Sequence, residues 1–529
     1  MMVTLQDILG VLDTPLLRGD GSVRVTGLSH DSRSVKPGWI FIAIAGETAD
    51  GHAFISRAIQ AGAVAVIAEK SPDTEHEGFP WITVPDTKKA LGTVAALLFG
   101  KPTEKLVLVG ITGTNGKTTL TYLLESIVKA AGGFPGVVGT ISYRWGGSEQ
   151  EAARTTPEAS DLQAYFASMV EAGVTHAFIE VSSHGLHRGR LNGCQFDLGV
   201  FTNLTQDHLD YHGNIEEYYC AKRLLFTELL PQSTKTNRRA VINLDDAFAG
   251  RLRGEIGNLP LITYGISSQA DVRPSDMNVA ADGISGTVMT PRGGIRVHSR
   301  LTGSFNLSNI LAAIAVADSL RIPFDAIASG IDAVEAIPGR LERIPSETGS
   351  IFVDYAHTPS ALKNVLEALH AVRTGRIVTI MGCGGDRDKT KRPLMGMEAA
   401  AGSDFVVVTS DNPRTEEPLS IMGQVEDGIL RHGFTLFPEA CNGHPLQSGR
   451  YKLIEDRRQA IAWAIQRLNR SDILLVAGKG HETYQEMNGV RYPFDDRQVI
   501  REELAKQSSP ATSAFTMKSD RDTSGRECS

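Results

Sequence analysis

Short apolar runs alternate along most of this chain with stretches whose apolar positions recur every third or fourth residue. Runs of the first kind suit strands covered on both faces, and the second spacing suits helices that cover them. The pattern therefore predicts an α/β protein with mainly parallel sheets. In the first segment, strands are expected at 39–45, 63–68 and 81–84 and helices at 54–61 and 87–99. The polar, turn-like Gly100-Lys-Pro-Thr-Glu104 then closes a smaller N-terminal α/β domain over 1–103. A second domain, over 104–336, has strand candidates at 105–111, 177–181, 198–202 and 240–244, and a helix pattern at 306–320. Residues 270–300 are rich in Gly, Thr and Val and predict a small antiparallel excursion. Ala336-Ile-Pro-Gly-Arg340 predicts a second hinge. A third, Rossmann-like domain over 337–505 repeats the rhythm, with strands at 351–354, 377–381, 405–409 and 473–477. A turn rich in Gly, Asp or Asn follows each, where open α/β sheets collect ligands. The Ser/Thr-rich segment 506–529 is expected to be a disordered tail.

At 529 residues, three domains agree with a prior of roughly 150 residues each. A net charge of −8 argues against a nucleic-acid surface, which needs clustered Lys and Arg, but leaves room for local basic pockets. Cys194, Cys220, Cys383, Cys441 and Cys528 are scattered and lack metal spacing, as expected for free thiols in the cytoplasm. No leader pattern opens the sequence, and no apolar run approaches the ~18 residues of a membrane span.

The most specific chemistry follows the run at 105–111. Thr112-Gly-Thr-Asn-Gly-Lys-Thr-Thr119 joins a predicted strand to a predicted helix, the setting of a phosphate-binding loop at the centre of a mononucleotide-binding sheet. Small residues let backbone N–H groups of Gly113, Thr114, Asn115, Gly116, Thr118 and Thr119 turn inward. The helix N-terminus adds positive potential, Lys117 reaches the terminal phosphates and Thr118 can ligate Mg²⁺. The spacing departs from the usual one because Ile111 stands where a glycine is expected. Glu180, at a strand end, either holds Mg²⁺ or caps the next turn. Asp207-His-Leu-Asp-Tyr-His212 suggests metal or phosphate contacts. Lys222 by itself reads as a solvated helix lysine.

Taken in order, the phosphate loop, Glu180-Val-Ser-Ser-His-Gly185, Asn203-Leu-Thr-Gln-Asp-His-Leu-Asp-Tyr-His212 and Gly303-Ser-Phe-Asn-Leu-Ser-Asn309 resemble the Mur ligase family, which builds the peptide stem of bacterial peptidoglycan. Val353-Asp-Tyr-Ala-His-Thr-Pro359, Gly382-Cys-Gly-Gly-Asp-Arg-Asp-Lys389, Asp411-Asn-Pro-Arg414 and Ala477-Gly-Lys-Gly-His-Glu482 narrow the resemblance to the member that adds the third residue. It implies a monomeric cytoplasmic enzyme that uses ATP and Mg²⁺ to add meso-2,6-diaminopimelate to UDP-N-acetylmuramoyl-L-alanyl-D-glutamate through an acyl phosphate. By position in the motifs, His30, Ser32, Glu47, Thr48 and Ala49 would contact the UDP-sugar. Thr155, Thr156, Ser182, Arg188 and Arg190 would hold its phosphates or peptide. Glu180 and His208 would bind Mg²⁺, while Asn306, Asn309, Arg340 and Asp354 would line the ATP. Lys222 falls where the family carries a lysine carbamylated by CO₂, which would bridge a second Mg²⁺. Arg387, Asp411, Asn412, Pro413, Arg414, Gly478 and Glu482 would contact the amino acid, with Arg414 gripping the distal carboxylate that lysine lacks. Apart from the motif, Arg414 would pair with Glu416 or Glu417. The alternatives are a lysine-adding member of the family, a folylpolyglutamate synthetase and a non-catalytic cell-wall scaffold.

Overall fold

The computed structural model describes residues 3–46, 49–72, 74–280, 283–438 and 445–508, and in it the apolar runs become the inner strands of three α/β sheets. In the first, Leu16–Arg18, Trp81–Thr83, Ala65–Ala68, Trp39–Ile42 and Gly27–Ser29 lie side by side. Only the Leu16–Arg18 edge is antiparallel. Helix Thr87–Leu98 packs on one face, and Asp86 caps it by accepting from the Lys89 N–H.

The central sheet runs Ser148–Glu151, Ser142–Trp145, Pro135–Val138, His176–Glu180, Val107–Thr112, Leu198–Phe201, Arg239–Asn243 and Leu261–Tyr264. Apolar clusters fill both faces, which is why its inner strands read as unbroken hydrophobic runs. The first two strands form an antiparallel hairpin for which the apolar pattern gave no sign. Ser148–Glu151 is exposed and carries Glu149 and Glu151, charges that blunt a free edge. The excursion expected at 270–300 is a three-stranded antiparallel sheet, Arg273–Ala280, Gly283–Thr290 and Gly293–Ser299. Helix Ser304–Ser319, buried nearly all round, packs between this sheet and the central one.

The third sheet runs Glu342–Ile344, Ser350–Asp354, Ile473–Ala477, Ile377–Met381, Phe405–Val408, Arg450–Leu453 and Thr435–Leu436. All its pairings are parallel except the first. The last helix, Asp496–Ser508, continues past Ala505, so residues 506–508 are helical. The rest of the expected tail, 509–529, lies outside the described residues. Among the described residues no helix is long and apolar enough to cross a membrane.

Candidate active site

Strand Val107–Thr112 lies between His176–Glu180 and Leu198–Phe201, parallel to both, so three strands deliver their carboxyl ends to one crevice. Ile111 belongs to the strand and is fully buried, which explains the missing glycine: the bend begins later. It begins at Gly113, whose φ is +145° and where a Cβ would stand 1.9 Å from Thr202 Oγ1. At Gly116, φ is +89° and a Cβ would meet Asn309 Oδ1 at 2.4 Å. Not every loop amide is available. The Thr114 N–H donates to the Asn203 carbonyl at 2.9 Å and the Asn115 N–H to Asn203 Oδ1 at 2.9 Å. The next helix, Lys117–Ala130, opens with Lys117, Thr118 and Thr119, whose amides precede its first bond, Leu120 N–H to Gly116 O, and have no acceptor within the helix.

Lys117 Nζ folds over the loop and donates to the carbonyls of Gly113 and Thr114, both at 2.8 Å. Lys222 Nζ, from helix Ile215–Leu224, reaches the same Gly113 carbonyl at 2.9 Å. Lys222 is 1% exposed and its ammonium lies 4.3 Å from the Tyr218 ring centroid. It is not the solvated lysine its local sequence suggests. Burial, and then the Lys117 charge, hold its pKa well below the usual lysine value. Burial also lowers Lys117, against the pull of Glu180 and Asp207.

Glu180 does not cap the following helix, Ser183–His187; Ser182 does, accepting from the Gly185 N–H at 3.0 Å. The Glu180 carboxylate turns into the crevice instead. It accepts from Thr118 Oγ1 at 3.0 Å, from the Thr140 N–H at 2.9 Å and from Thr140 Oγ1 at 2.8 Å. His208, at φ +55°, sits 3.4 Å from Asp207 with its side chain 45% exposed, and partial desolvation by the crevice lowers its imidazole pKa against the pull of Asp207. A neutral ring is the form that ligates a metal. Among the described residues no three His, Cys, Asp or Glu side chains form a metal cluster. The Glu180 carboxylate and the Thr118 hydroxyl, 3.0 Å apart, are oxygen donors of the kind Mg²⁺ takes alongside waters and phosphate oxygens.

Glu180, His208, Lys117, Lys222, Thr114 through Thr119, Thr155, Ser182 and Arg340 wall a crevice of about 170 Å³. Arg340 crosses from the third unit, donating Nη2 to Thr118 Oγ1 at 3.3 Å while stacking on Tyr355. Asn306 and Asn309 stand behind the loop, Asn309 Nδ2 donating to Asn306 Oδ1 at 3.0 Å. Asp354 is buried, accepts from the Leu341 N–H at 2.6 Å and is pushed up to about 6 by burial. Thr156 donates to the Glu180 carbonyl, and Arg190 pairs with Glu158. Arg188 donates Nε to the Tyr211 hydroxyl at 3.2 Å. His30, Ser32 and Ala49 lie in the first unit and line neither the crevice nor its neighbour. Glu47 and Thr48 lie outside the described residues.

That neighbour is a cleft of about 650 Å³ between the second and third units. Arg387, Asp411, Asn412, Arg414, Gly478 and Glu482 line it, opposite His184, Asp207 and His208. Pro413 stands outside the wall, its carbonyl against Gly385, where a Cβ would approach to 1.9 Å. Arg414 pairs with neither Glu416 nor Glu417. Buried Arg392 takes Glu416 in a bidentate grip at 2.8 and 3.0 Å, and Glu416 also accepts from the Asp386 N–H. Arg414 Nη1 donates to the Gly385 carbonyl at 2.7 Å and Nε lies 3.7 Å from Glu486, while Nη2 makes no hydrogen bond among the described residues. Asn412 is held at both ends: Oδ1 accepts from Lys479 and the Glu486 N–H, and Nδ2 donates to Glu482. Burial raises the Glu482 pKa against the pull of Lys479.

The crevice and the cleft share the walls Asp207, His208, Tyr355 and His357. Sequence reasoning assigned no role to Tyr355 or His357, although both stand in a quoted motif, nor to Thr140, whose loop carries no signal.

The chain matches the "Mur ligase family, catalytic domain" at 24–98, the "Mur ligase middle domain" at 111–317 and the "Mur ligase, glutamate ligase domain" at 339–480. It is 45% identical to the UDP-N-acetylmuramoyl-L-alanyl-D-glutamate--2,6-diaminopimelate ligase of Geobacter metallireducens, over 96% of this chain and 99% of that protein. The enzyme of the same name from Geobacter sulfurreducens is also 45% identical, over 93% of this chain and 97% of its own. A solved structure of a ligase with that name superposes with a TM-score of 0.69 at 33% identity, covering 96% of this chain and all of the other.

Proposed function

The chain belongs to the Mur ligase family of ATP-dependent, amide-forming ligases, and from that membership we propose that it joins meso-2,6-diaminopimelate to the D-glutamate of UDP-N-acetylmuramoyl-L-alanyl-D-glutamate. The observation that carries this reading is the common wall. A phosphate crevice and a cleft with a charged amino-acid grip open onto one another across Asp207, His208, Tyr355 and His357. A carboxylate is a poor electrophile, so the D-glutamate side chain must first be phosphorylated by ATP. The acyl phosphate then meets the amine where the two spaces join. Domain 1–103 would hold the uridine end through His30, Ser32 and the 47–49 turn. Domain 104–336 would hold ATP, and 337–505 the diamino acid.

Lys117 and the amides of Lys117, Thr118 and Thr119 would spread the charge of the transferring phosphoryl group. Thr118, Glu180 and His208 would hold Mg²⁺, which neutralises phosphate charge when bound. Lys222, whose pKa burial holds well below the usual lysine value, would be the amine that CO₂ converts to a carbamate, a further oxygen donor toward the metal. Thr155, Thr156, Ser182, Arg188 and Arg190 would fix the substrate's phosphates or peptide. Arg414 and Arg387 would take the distal carboxylate of diaminopimelate. Lysine lacks that carboxylate and would leave the cations unpaired.

Release of ADP with ATP, the UDP-dipeptide and a panel of amino acids tests the reading. Diaminopimelate is expected to support turnover and L-lysine to support little. Equal rates with lysine would replace the assignment by the lysine-adding alternative, and no release with any amino acid would favour the scaffold.

A further inference from the structure

An incoming amine reaches an acyl phosphate as an ammonium, and an ammonium has no lone pair with which to attack. Two protons must leave the nitrogen before an amide exists. A phosphate leaving group can take one of them. The other needs an acceptor where amine and acyl carbon meet.

His357 stands at that place, on the wall common to both spaces. Its Nδ1 lies 2.8 Å from the Tyr355 carbonyl, and a carbonyl can only accept, so the proton sits on Nδ1. The neutral ring therefore carries its lone pair on Nε2, which has no hydrogen-bond partner among the described residues. The ring is held in orientation by Tyr355, whose ring centroid is 4.6 Å away, and Tyr355 is itself packed on His481 and Arg340. We infer that His357 is the proton acceptor for the attacking amine, a catalytic residue of the amide-forming half of the reaction.

The ammonium gives one proton to His357 Nε2, and the freed lone pair forms the C–N bond to the acyl carbon. The C–O bond to phosphate then breaks, its electron pair leaving with the phosphate, which takes the second proton from nitrogen. The imidazolium discharges its proton to water. Lys391, at the start of helix Lys391–Ala401, and Arg340 make the imidazolium unfavourable, while Asp207 favours it. Burial, with Lys391 next, keeps the ring neutral below the ordinary imidazole value. With these charges, His208, His481 and the Tyr355 phenol are the ionisable groups that face His357 among the described residues, and all enter its pH profile.

The inference rests on the ligase reading, and hydroxylamine separates the two. Hydroxylamine is neutral near pH 7 and attacks acyl phosphates without a base. His357→Asn keeps a donor for the Tyr355 carbonyl and removes the Nε2 acceptor. With ATP and the UDP-dipeptide, the variant is expected to form hydroxamate within about twofold of wild type. Ligation of diaminopimelate should fall ~10²-fold or more and lose the acid limb of its kcat/KM profile. An equal fall in hydroxamate and ligation, or undiminished ligation, overturns the role of His357. If the wild type forms no hydroxamate, the ligase reading itself fails and the inference falls with it.

Discussion

Two lysines share one carbonyl. Lys117 and Lys222 both donate to Gly113 O; Lys222 is buried and Lys117 half-buried, so their like charges oppose one another with little water between them. One of them is easier to keep neutral, and the deeper effect falls on Lys222. Lys222→Ala should therefore reduce ligation by ~10²-fold or more, and a small added carboxylate should partly restore it. Full activity of wild type in bicarbonate-free buffer would rule the carbamate out. Arg414 is held differently. Its backbone sits at φ +51°, tied through the Glu486 carbonyl and the Asn488 N–H. Because Glu416 is taken by Arg392, the Arg414 fork is not spent on a neighbour in its own turn. Arg414→Ala should raise the KM for diaminopimelate sharply and narrow a preference over lysine that reaches up to ~10⁴-fold in sites of this kind. An unchanged preference would move selectivity elsewhere.

Elements carry these residues, and two packing devices hold the elements. Arg457, on helix Arg457–Ile465, grips Asp496 of the last helix at 2.8 and 2.7 Å, both side chains 0% exposed, and donates to the Ala477 carbonyl at 3.0 Å. That carbonyl ends the strand from which Gly478 and Glu482 emerge. Arg457→Met leaves a buried carboxylate alone and should cost about 3–5 kcal/mol, while adding Asp496→Leu should recover much of the loss. Denaturant unfolding of both variants measures it; equal losses would show that the pair is not what holds this corner. The second device is a histidine cluster on the short helices Ser183–His187 and Leu209–His212. His212 bonds Ser183 Oγ at 2.9 Å, and burial, with His184 next, holds it down to about 4 from 6.5. Between those values the unfolded chain binds a proton that the folded chain refuses, so stability falls as pH drops from about 6.5 toward about 4. His212→Asn should show a smaller drop in urea midpoint than wild type between about pH 7 and about pH 5. An identical drop would assign the acid sensitivity to other groups.

At the scale of the whole molecule, the site exists only where units meet. Arg340 touches Thr118 at 3.3 Å, and Thr205 Oγ1 meets Ser360 Oγ at 3.2 Å, across the seam between the second and third units. A ligand that bridges this seam stabilises the assembly by mass action. Mg²⁺-ATP at about 100 times its Kd should add ~2.7 kcal/mol. Lys117→Ala should shrink that gain and reduce ligation by ~10²-fold or more, yet leave the nucleotide-free protein no less stable, since a partly desolvated ammonium beside Lys222 is removed. Thermal unfolding with and without nucleotide checks both halves. A full nucleotide shift with near-wild-type turnover would take the loop out of the mechanism.

The sequence determined a great deal by itself. Inner strands such as Ile377–Met381 and Ile473–Ala477 were legible to the residue because a strand buried on both faces has no polar alternation to blur it. The phosphate loop was legible because its glycines answer a steric demand that no other residue meets at those positions. The hairpin from Ser142 to Glu151 was not: its edge strand, Ser148–Glu151, is exposed and carries no hydrophobic signature, and Ser142–Trp145 beside it is too short and mixed to give one. Nor could periodicity show that Lys222 is buried, that Ser182 rather than Glu180 caps its helix, or that Asn203 occupies two loop amides. Each of these depends on side chains brought together from distant parts of the chain, and a local pattern fixes the faces of an element without fixing what those faces meet. The same reason hid His357: its motif placed it after a strand, but only the packing of two units put its free nitrogen between the crevice and the cleft.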